Sequence, residues 1–347
     1  MRRDSRVVRV GSVLIGGNNP IAVQSMTKTD TRDVSSTVDE ILKLEDKGCE
    51  IIRVAVPDLE AAYAIKGIKD KIHIPLVADI HFDPRLAIES IKNGVDKVRL
   101  NPSNIKDRDY IRKITLLAKS YGVAIRIGAN LGSFRERPKD VVEALIQSAM
   151  NEVKILEDED FSDIVISIKT SDVLTTIKAN EKVATLSNYP IHLGVTEAGP
   201  ADESLVKSSV GIGALLLAGI GDTLRVSITG DSGAEIEAGF TLLKSLGLRE
   251  KGIDVISCPT CGRTEIDVLD IVAKVKKVYG DVKLPLKIAV MGCVVNGPGE
   301  AMDADIGIAG GKNSGVIFRK GKIVKVVEGN KLFEALKDEI DKYIKES

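Results

Sequence analysis

Eight short runs rich in Val, Ile and Leu recur through the first 246 residues, separated by longer stretches with helical spacing. The runs are PIAVQ (20–24), IIRVAV (51–56), IPLVADI (74–80), KVRLN (97–101), VAIRIGAN (123–130), DIVISIK (163–169), PIHLGV (190–195) and TLRVSI (223–228). Helical spacing marks SSTVDEILKLEDKG (35–48), RPKDVVEALIQSAMNEVKILEDED (137–160) and PADESLVKSSVGIGALL (200–216). Hydrophobic strands alternating with helices specify a parallel sheet covered by helices. Eight such units close into a (β/α)8 barrel of the TIM type, whose usual size of about 250 residues suits this stretch. An open doubly wound sheet is the alternative, but no dinucleotide fingerprint marks a switch point. The Gly-rich GIGALLLAGIGD (211–222) fails as one, because positions 216 and 224 are Leu where the third Gly belongs. It reads as a helix end and a tight turn into a strand. The opening RVVRVGSVLIGG reads as a hairpin closing the bottom of the barrel.

A chain of 347 residues exceeds what one core usually holds. After residue 246 the alternation changes, and residues 247–347 read as a smaller α+β domain. Its strands are IDVISC (253–258), PLKIAVMGC (285–293), IGIAG (306–310), GVIFR (315–319) and KIVKVV (322–327). Its helices are EIDVLDIVAKVKKVYG (265–280) and the closing KLFEALKDEIDKYIKE.

Cations interrupt the barrel's apolar runs. Arg53, Arg99, Arg126 and Lys169 lie within or at the ends of strands that should be buried, and a buried cation must find an anion. Internal ion pairs would serve for one isolated Arg. The same feature on four strands whose C-terminal ends meet at one mouth points instead to a shared anion site. Arginine's planar fork suits phosphate oxygens, and four cations suit a diphosphate better than a carboxylate. Asn130, Thr196, Ser227 and Thr229, at the same strand ends, are donors for phosphate or hydroxyl oxygens. Asp79 and His81, in VADIHFD, offer an acid and an imidazole, or else a turn Asp and a loop His. Gln24 and Ser25 are weaker candidates, and Glu197 is expected to pair with one of the cations.

Three of the four cysteines fall in the second domain: Cys258 and Cys261 in SCPTCGR, and Cys293 in MGCVVNGPGEA. A structural zinc would want a fourth Cys or His, yet His73, His81 and His192 all lie outside this domain. A redox disulfide leaves Cys293 without purpose. An iron–sulfur cluster with three thiolates and one different ligand accounts for all three, and Glu300 is the nearest candidate for the fourth place. The seven glycines of 291–315 would let the backbone wrap closely around a bound group. No CxxxCxxC of the radical type is present. Cys49, starting a barrel strand, reads as an inert buried thiol.

Net charge is −1 and aromatics are 3%, so neither a global field nor stacking platforms favour nucleic acid. The charged start MRRDSRVVRVGS lacks the apolar run of a signal peptide, and no 18 consecutive apolar residues suggest a membrane span. With too few cysteines for a disulfide scaffold, the expected location is the cytoplasm.

The motifs PIAVQSMTKTDTRD, LVADIHFDPRLA, VRLNPSN, RIGANLGS, SIKTSD, LGVTEAG, GIGDTLRVSITG, SCPTCGR and MGCVVNGPGEA run the length of the chain. In this the chain closely resembles the 4-hydroxy-3-methylbut-2-enyl diphosphate synthases of the non-mevalonate isoprenoid pathway, in their two-domain bacterial form. The resemblance implies a [4Fe–4S] cluster held by Cys258, Cys261, Cys293 and Glu300. It implies that Arg53, Arg99, Arg126, Asn130, Lys169, Thr196, Ser227 and Thr229 line the substrate site. The implied reaction is the two-electron ring opening and dehydroxylation of 2-C-methyl-D-erythritol 2,4-cyclodiphosphate, with Glu300 as proton donor. A ferredoxin or flavodoxin as electron donor is implied, and a homodimer in which one subunit's cluster domain caps its partner's barrel. Two rivals remain from the residues alone. Lys169 could form a Schiff base in an aldolase acting on phosphorylated sugars, beside a structural cluster. Alternatively, the chain could be an iron–sulfur sensor or carrier whose barrel only binds a phosphate ligand.

Overall fold

The computed structural model describes residues 2–101, 104–130, 132, 134, 136–250, 252–280, 282–294, 299 and 301–346. They form two compact units, one ending at Arg249 and the next beginning at Glu250.

The first unit opens with a two-stranded antiparallel hairpin, β1 (Val8–Val10) and β2 (Val13–Ile15), turning through Gly11 at φ +55°. Eight parallel strands follow: β3 (Ala22–Met26), β4 (Ile51–Ala55), β5 (Leu76–Asp79), β6 (Lys97–Arg99), β7 (Ala124–Asn130), β8 (Ile164–Lys169), β9 (His192–Leu193) and β10 (Thr223–Leu224). They pair in the order β8-β7-β6-β5-β4-β3-β10-β9. A parallel bridge between Ile166 and Ile191 brings β9 back to β8, so the sheet curls into a nearly closed barrel. The ladders of β9 and β10 stop early, because the backbone beyond them bonds to loops. The Thr196 amide donates to the Thr170 carbonyl and the Thr229 amide to that of Gly199.

Eight helices cover the outside: α1 (Val34–Asp46), α2 (Leu59–Lys69), α3 (Pro84–Lys92), α4 (Arg108–Tyr121), α5 (Val141–Glu157), α6 (Val173–Leu186), α7 (Ala201–Leu217) and α8 (Ser232–Ser245). Seven begin at an Asp whose carboxylate accepts a first-turn amide, satisfying donors the helix cannot pair itself. The exception, α7, starts after Pro200 and ends in the glycine-rich turn where Gly219 and Gly221 adopt positive φ. Outward-pointing Val23, Ile52, Val54, Leu76, Val98, Ile125 and Ile166 pack against these helices and carry the main core. Residues at odd spacing from them point inward. At the N-terminal end Ala22, Ile51, Val77, Ala124 and Val165 meet Val8, Val10 and Ile15 of the hairpin in a dry apolar plug. The expected bottom closure is therefore present.

The second unit has a five-stranded sheet ordered β11 (Ile253–Ser257), β12 (Leu286–Met291), β13 (Ile306–Gly310), β14 (Ser314–Arg319), β15 (Lys322–Glu328). β11 to β13 are parallel and β13 to β15 antiparallel. Helices α9 (Val268–Tyr279) and α10 (Leu332–Glu346) bury Ile271, Val275, Leu336 and Ile340 against Leu286, Ile288, Val290 and Ile306. The expected glycine wrap is corrected in part. Gly307, Gly310 and Gly315 lie in β13 and β14, where a methyl group would strike Phe318, Ile266 and Leu332. These glycines let core side chains cross the sheet.

Candidate active site

Above the apolar plug the interior of the barrel changes character. Inward positions carry Gln24 on β3, Arg53 on β4, Asp79 on β5, Lys97 and Arg99 on β6, Arg126 on β7, Ser167 and Lys169 on β8, His192 on β9 and Thr223 on β10. Arg225 follows β10 in the same parity. Two glycines make room for this content. A methyl at Gly128 would stand 2.9 Å from Arg99 Nε, and one at Gly194 would stand 2.6 Å from Lys169 Nζ. All four cations expected from the sequence are thus brought together.

Two carboxylates face them. Asp79 lies 3.9 Å from Arg53 Nε and 3.7 Å from Arg99 Nε, while its other neighbour is His81 Nε2 at 3.5 Å. Glu235, reaching in from α8, accepts from Arg225 Nε at 3.0 Å and Nη2 at 2.9 Å, from Ser25 Oγ at 2.8 Å and from the Ile228 amide at 3.1 Å. The remaining groups have poor partners. Arg53 donates to the thioether of Met26, at 3.1 and 2.9 Å. Nε and Nη1 of Arg126, Nζ of Lys97 and both amide atoms of Gln24 are buried with no hydrogen-bond partner among the described residues. Lys169 Nζ lies 2.9 Å from Nε2 of the fully buried His192, whose Nδ1 lies 2.6 Å from Thr223 Oγ1.

The crowding shows in the ionisation of the groups. Burial, reinforced by the neighbouring guanidinia, pushes Arg126, Lys97 and Lys169 well below their ordinary values. Burial lowers Arg53 to about 10 against the pull of Asp79. His192 is held neutral by burial and by Lys169. For Asp79 burial opposes ionisation, but Arg53, the bond from His81 and Arg99 together outweigh it and hold the carboxyl well below the usual range. Arginine can only donate, so Nδ1 of His81 accepts from Arg99 Nη1 at 3.2 Å and its proton sits on Nε2, toward Asp79. Asp79 and His81 therefore belong to the cation network, and His81 remains half open to solvent at the strand end.

Asn130 ends β7 in the inward parity of Arg126 and Gly128, while Thr196, Ser227 and Thr229 lie on the segments that follow β9 and β10. The Ser227 carbonyl accepts from Ser204, which braces that loop. Ser25 braces Glu235, and Gln24 is fully buried beneath the mouth. Glu197 departs from its expected role: it is exposed at φ +53° with no ion pair to a cation among the described residues. Sequence reading missed Arg225, Lys97 and Glu235. The first two carried the same signal as the others, a cation in the runs TLRVSI and KVRLN.

In the second unit Cys258 follows β11 and Cys293 follows β12, its parallel neighbour, with Ser257 opposite Val290. Cys258 Sγ accepts the Gly292 amide at 3.1 Å. The thiol of Cys261 is lowered by hydrogen bonds from the Arg263 amide and guanidinium, which favours the thiolate. Among the described residues no three Cys, His, Asp or Glu side chains are gathered tightly enough for one metal ion. Glu300 lies outside the described residues. The donor chemistry nonetheless fits an iron–sulfur group: three thiols at the ends of adjacent strands, one thiolate-prone and one receiving an amide N–H. Cys49 is a buried, hydrogen-bonded thiol pushed up to about 12 by burial, consistent with an inert role.

Comparison with known proteins agrees with this division. Residues 5–240 match the GcpE TIM-barrel domain and residues 254–342 the GcpE protein C-terminal domain. The 4-hydroxy-3-methylbut-2-en-1-yl diphosphate synthase (flavodoxin) of Caldanaerobacter subterraneus subsp. tengcongensis is 55% identical, covering 100% of this chain and 99% of its own. The protein of the same name from Thermodesulfovibrio yellowstonii is 50% identical, covering 98% and 99%. Among solved structures, dihydropteroate synthase from Stenotrophomonas maltophilia superposes with a TM-score of 0.54 at 12% identity, over 70% of this chain and 98% of that one. A 3-dehydroquinate dehydratase from Geobacillus kaustophilus gives 0.52 at 16%, over 71% and 98%. These two likenesses concern the barrel fold alone. From the full-length matches, the chain belongs to the GcpE family, that of the 4-hydroxy-3-methylbut-2-en-1-yl diphosphate synthase enzymes.

Proposed function

We propose that this chain catalyses the reductive ring opening and dehydroxylation of 2-C-methyl-D-erythritol 2,4-cyclodiphosphate to (E)-4-hydroxy-3-methylbut-2-enyl diphosphate. Two electrons and two protons enter, and one oxygen leaves as water. The observation that carries this reading is the barrel interior, where Arg53, Arg99, Arg126 and Lys169 converge with few anions of their own. Fixed guanidinia bind the diphosphate oxygens and favour the charge that builds on the ester oxygen as the ring opens. Because Asp79 and Glu235 already hold Arg99 and Arg225, those donors need little reorganisation on binding. Asn130, Thr196, Ser227 and Thr229 orient the remaining oxygens. Cys258, Cys261 and Cys293 would hold a [4Fe–4S] cluster, with Glu300 as fourth ligand, and such a group supplies the electrons singly. When not serving as that ligand, the Glu300 carboxyl would be free to give a proton to the departing hydroxyl. The relatives' names carry "(flavodoxin)", which supports a flavodoxin, or a ferredoxin, as donor. We place the working enzyme in the cytoplasm as a homodimer whose active site is shared between subunits. No helix among the described residues is long and apolar enough to cross a membrane.

An anaerobic assay with the cyclodiphosphate and a dithionite-reduced mediator tests the reaction, and absence of product from cluster-loaded protein would leave a phosphate-binding sensor. One observation favours a second reading. Lys169, depressed by burial and paired with neutral His192, has the ionisation of a Schiff-base amine. Borohydride reduction with a phosphorylated sugar present would then leave an adduct on Lys169.

A further inference from the structure

Lys97 has no role in the site as described so far. It lies two residues below Arg99 on β6, in register with Val77 and Ala124 at the edge of the apolar plug, and is fully buried. Its Nζ has no hydrogen-bond partner among the described residues. The charged and titratable groups acting on it from neighbouring strands are Arg53 from β4, Arg126 from β7 and His192 from β9, none of them an anion. Asp79 at the end of β5 is engaged with Arg53, Arg99 and His81. Asp96, the preceding residue, accepts from Lys69 at 2.5 Å and from the Leu76 amide at 2.7 Å. A packed interior with six cations and two carboxylates cannot keep every charge without a counter-ion. Guanidinia hold their protons far more firmly than amines, so the lysines are the groups that yield.

We propose that Lys97 is a positioning residue of the anion site, standing as a neutral amine in the free enzyme and taking up a proton when a diphosphate docks on the guanidinia above it. This rests on the diphosphate reading of the barrel mouth. The incoming anion supplies the missing counter-charge, so binding and protonation reinforce each other. The charge acquired at Lys97 in turn repels the Arg126 guanidinium toward the mouth and its ligand. A cyclic diphosphate ester is fully ionised near neutrality, so the proton must come from solvent to the protein. Lys169 shares the same interior and adds to the uptake.

The test is calorimetric titration of the cluster-loaded full chain with 2-C-methyl-D-erythritol 2,4-cyclodiphosphate, oxidised and without reductant so that nothing turns over. At pH 8 the binding heats in Tris and in HEPES differ by the number of protons taken up times the difference in buffer ionisation heats. The wild type is expected to take up about one proton more than Lys97→Met, and its Kd to rise up to tenfold per pH unit where that proton is bound. Equal uptake in the two proteins overturns the assignment. If Lys97→Met does not fold, Lys97→Gln takes its place in the comparison, and binding by the wild type without proton uptake at every pH from 6 to 9 is equally fatal. Absence of any binding is a separate outcome, refuting the diphosphate reading on which this inference stands.

Discussion

Replacing Glu235 by Gln tests whether the cation cluster is held by a few internal anions. Its carboxylate is fully buried and receives four hydrogen bonds: two from Arg225, and one each from Ser25 and the Ile228 amide. Glutamine keeps the shape and one acceptor oxygen but removes the charge and turns a second acceptor into a donor facing Arg225. Breaking a buried ion pair on one side costs about 3–5 kcal/mol, because the other charge is left unpaired. Arg225 is 14% exposed, so some water reaches it and the lower end, about 3 kcal/mol, is expected. For a barrel of this size about 2–4 °C is lost per kcal/mol, which predicts a Tm lower by about 6–12 °C. Calorimetry and urea unfolding read this out, with Glu237→Gln as control. Glu237 pairs with Lys47 on the surface, at 67% and 42% exposure, and its loss should cost under about 1 kcal/mol. Added cyclodiphosphate should restore part of the Glu235→Gln deficit by supplying the absent negative charge. Equal losses in the two variants would refute the claim that Glu235 anchors the cluster.

Gly128→Ala sets a methyl 2.9 Å from Arg99 Nε, so Arg99 must leave Asp79 and His81; affinity for the cyclodiphosphate should fall tenfold or more by calorimetry. Cys258→Ala and Cys293→Ala should abolish iron binding and its visible absorbance, whereas Cys49→Ala should keep both. The folded-state pKa of Lys97 is lowered, so the unfolded chain binds more protons between that value and the ordinary lysine value of about 10.4. Through that window its penalty to the fold lifts as pH rises, and the urea midpoint of Lys97→Met should increase less between pH 7 and pH 9 than that of the wild type. A parallel rise in the two proteins would mean that Lys97 is charged throughout. Asp79 behaves oppositely: its depressed pKa supports the fold above about pH 4 and that support is lost on acidification, so Asp79→Asn should flatten the acid limb.

Most of the barrel was legible because its signals are local. Val, Ile and Leu runs mark the strands, and an Asp ahead of a periodic segment marks the start of a helix. Arg53, Arg99, Arg126 and Lys169 stood out for the same reason, as charges inside runs that ought to be dry. Arg225 and Lys97 broke the same rule and were passed over, one in the last run and one at the first residue of a strand. Other parts of the site depend on tertiary placement. Nothing in SGAEIEAGF says that Glu235 points through the wall to Arg225 while Glu237 faces water. Gly128 and Gly194 read as ordinary strand glycines until the side chains of Arg99 and Lys169 fill the space above them. The glycines of β13 and β14 misled in the opposite direction, since clustering near Cys293 suggested a ligand and core packing explains three of them.

The two ends of the barrel divide the work of folding and binding. At the hairpin end, Val8, Val10 and Ile15 meet five apolar strand residues, each contributing about 1.5–3 kcal/mol on burial where the side chain is large. Further along, the same strands give up that gain and place Gln24, Lys97 and Arg126 with polar atoms that lack partners among the described residues. A core selected for stability alone would fill those positions with leucine and valine, at no cost in unpaired charge. Their retention in a site bordered by Asp79 and Glu235 is explained if the missing partner is the ligand itself. The free enzyme then carries the electrostatic penalty, and the incoming anion relieves it, which makes ligand-induced stabilisation largest where the empty barrel is weakest.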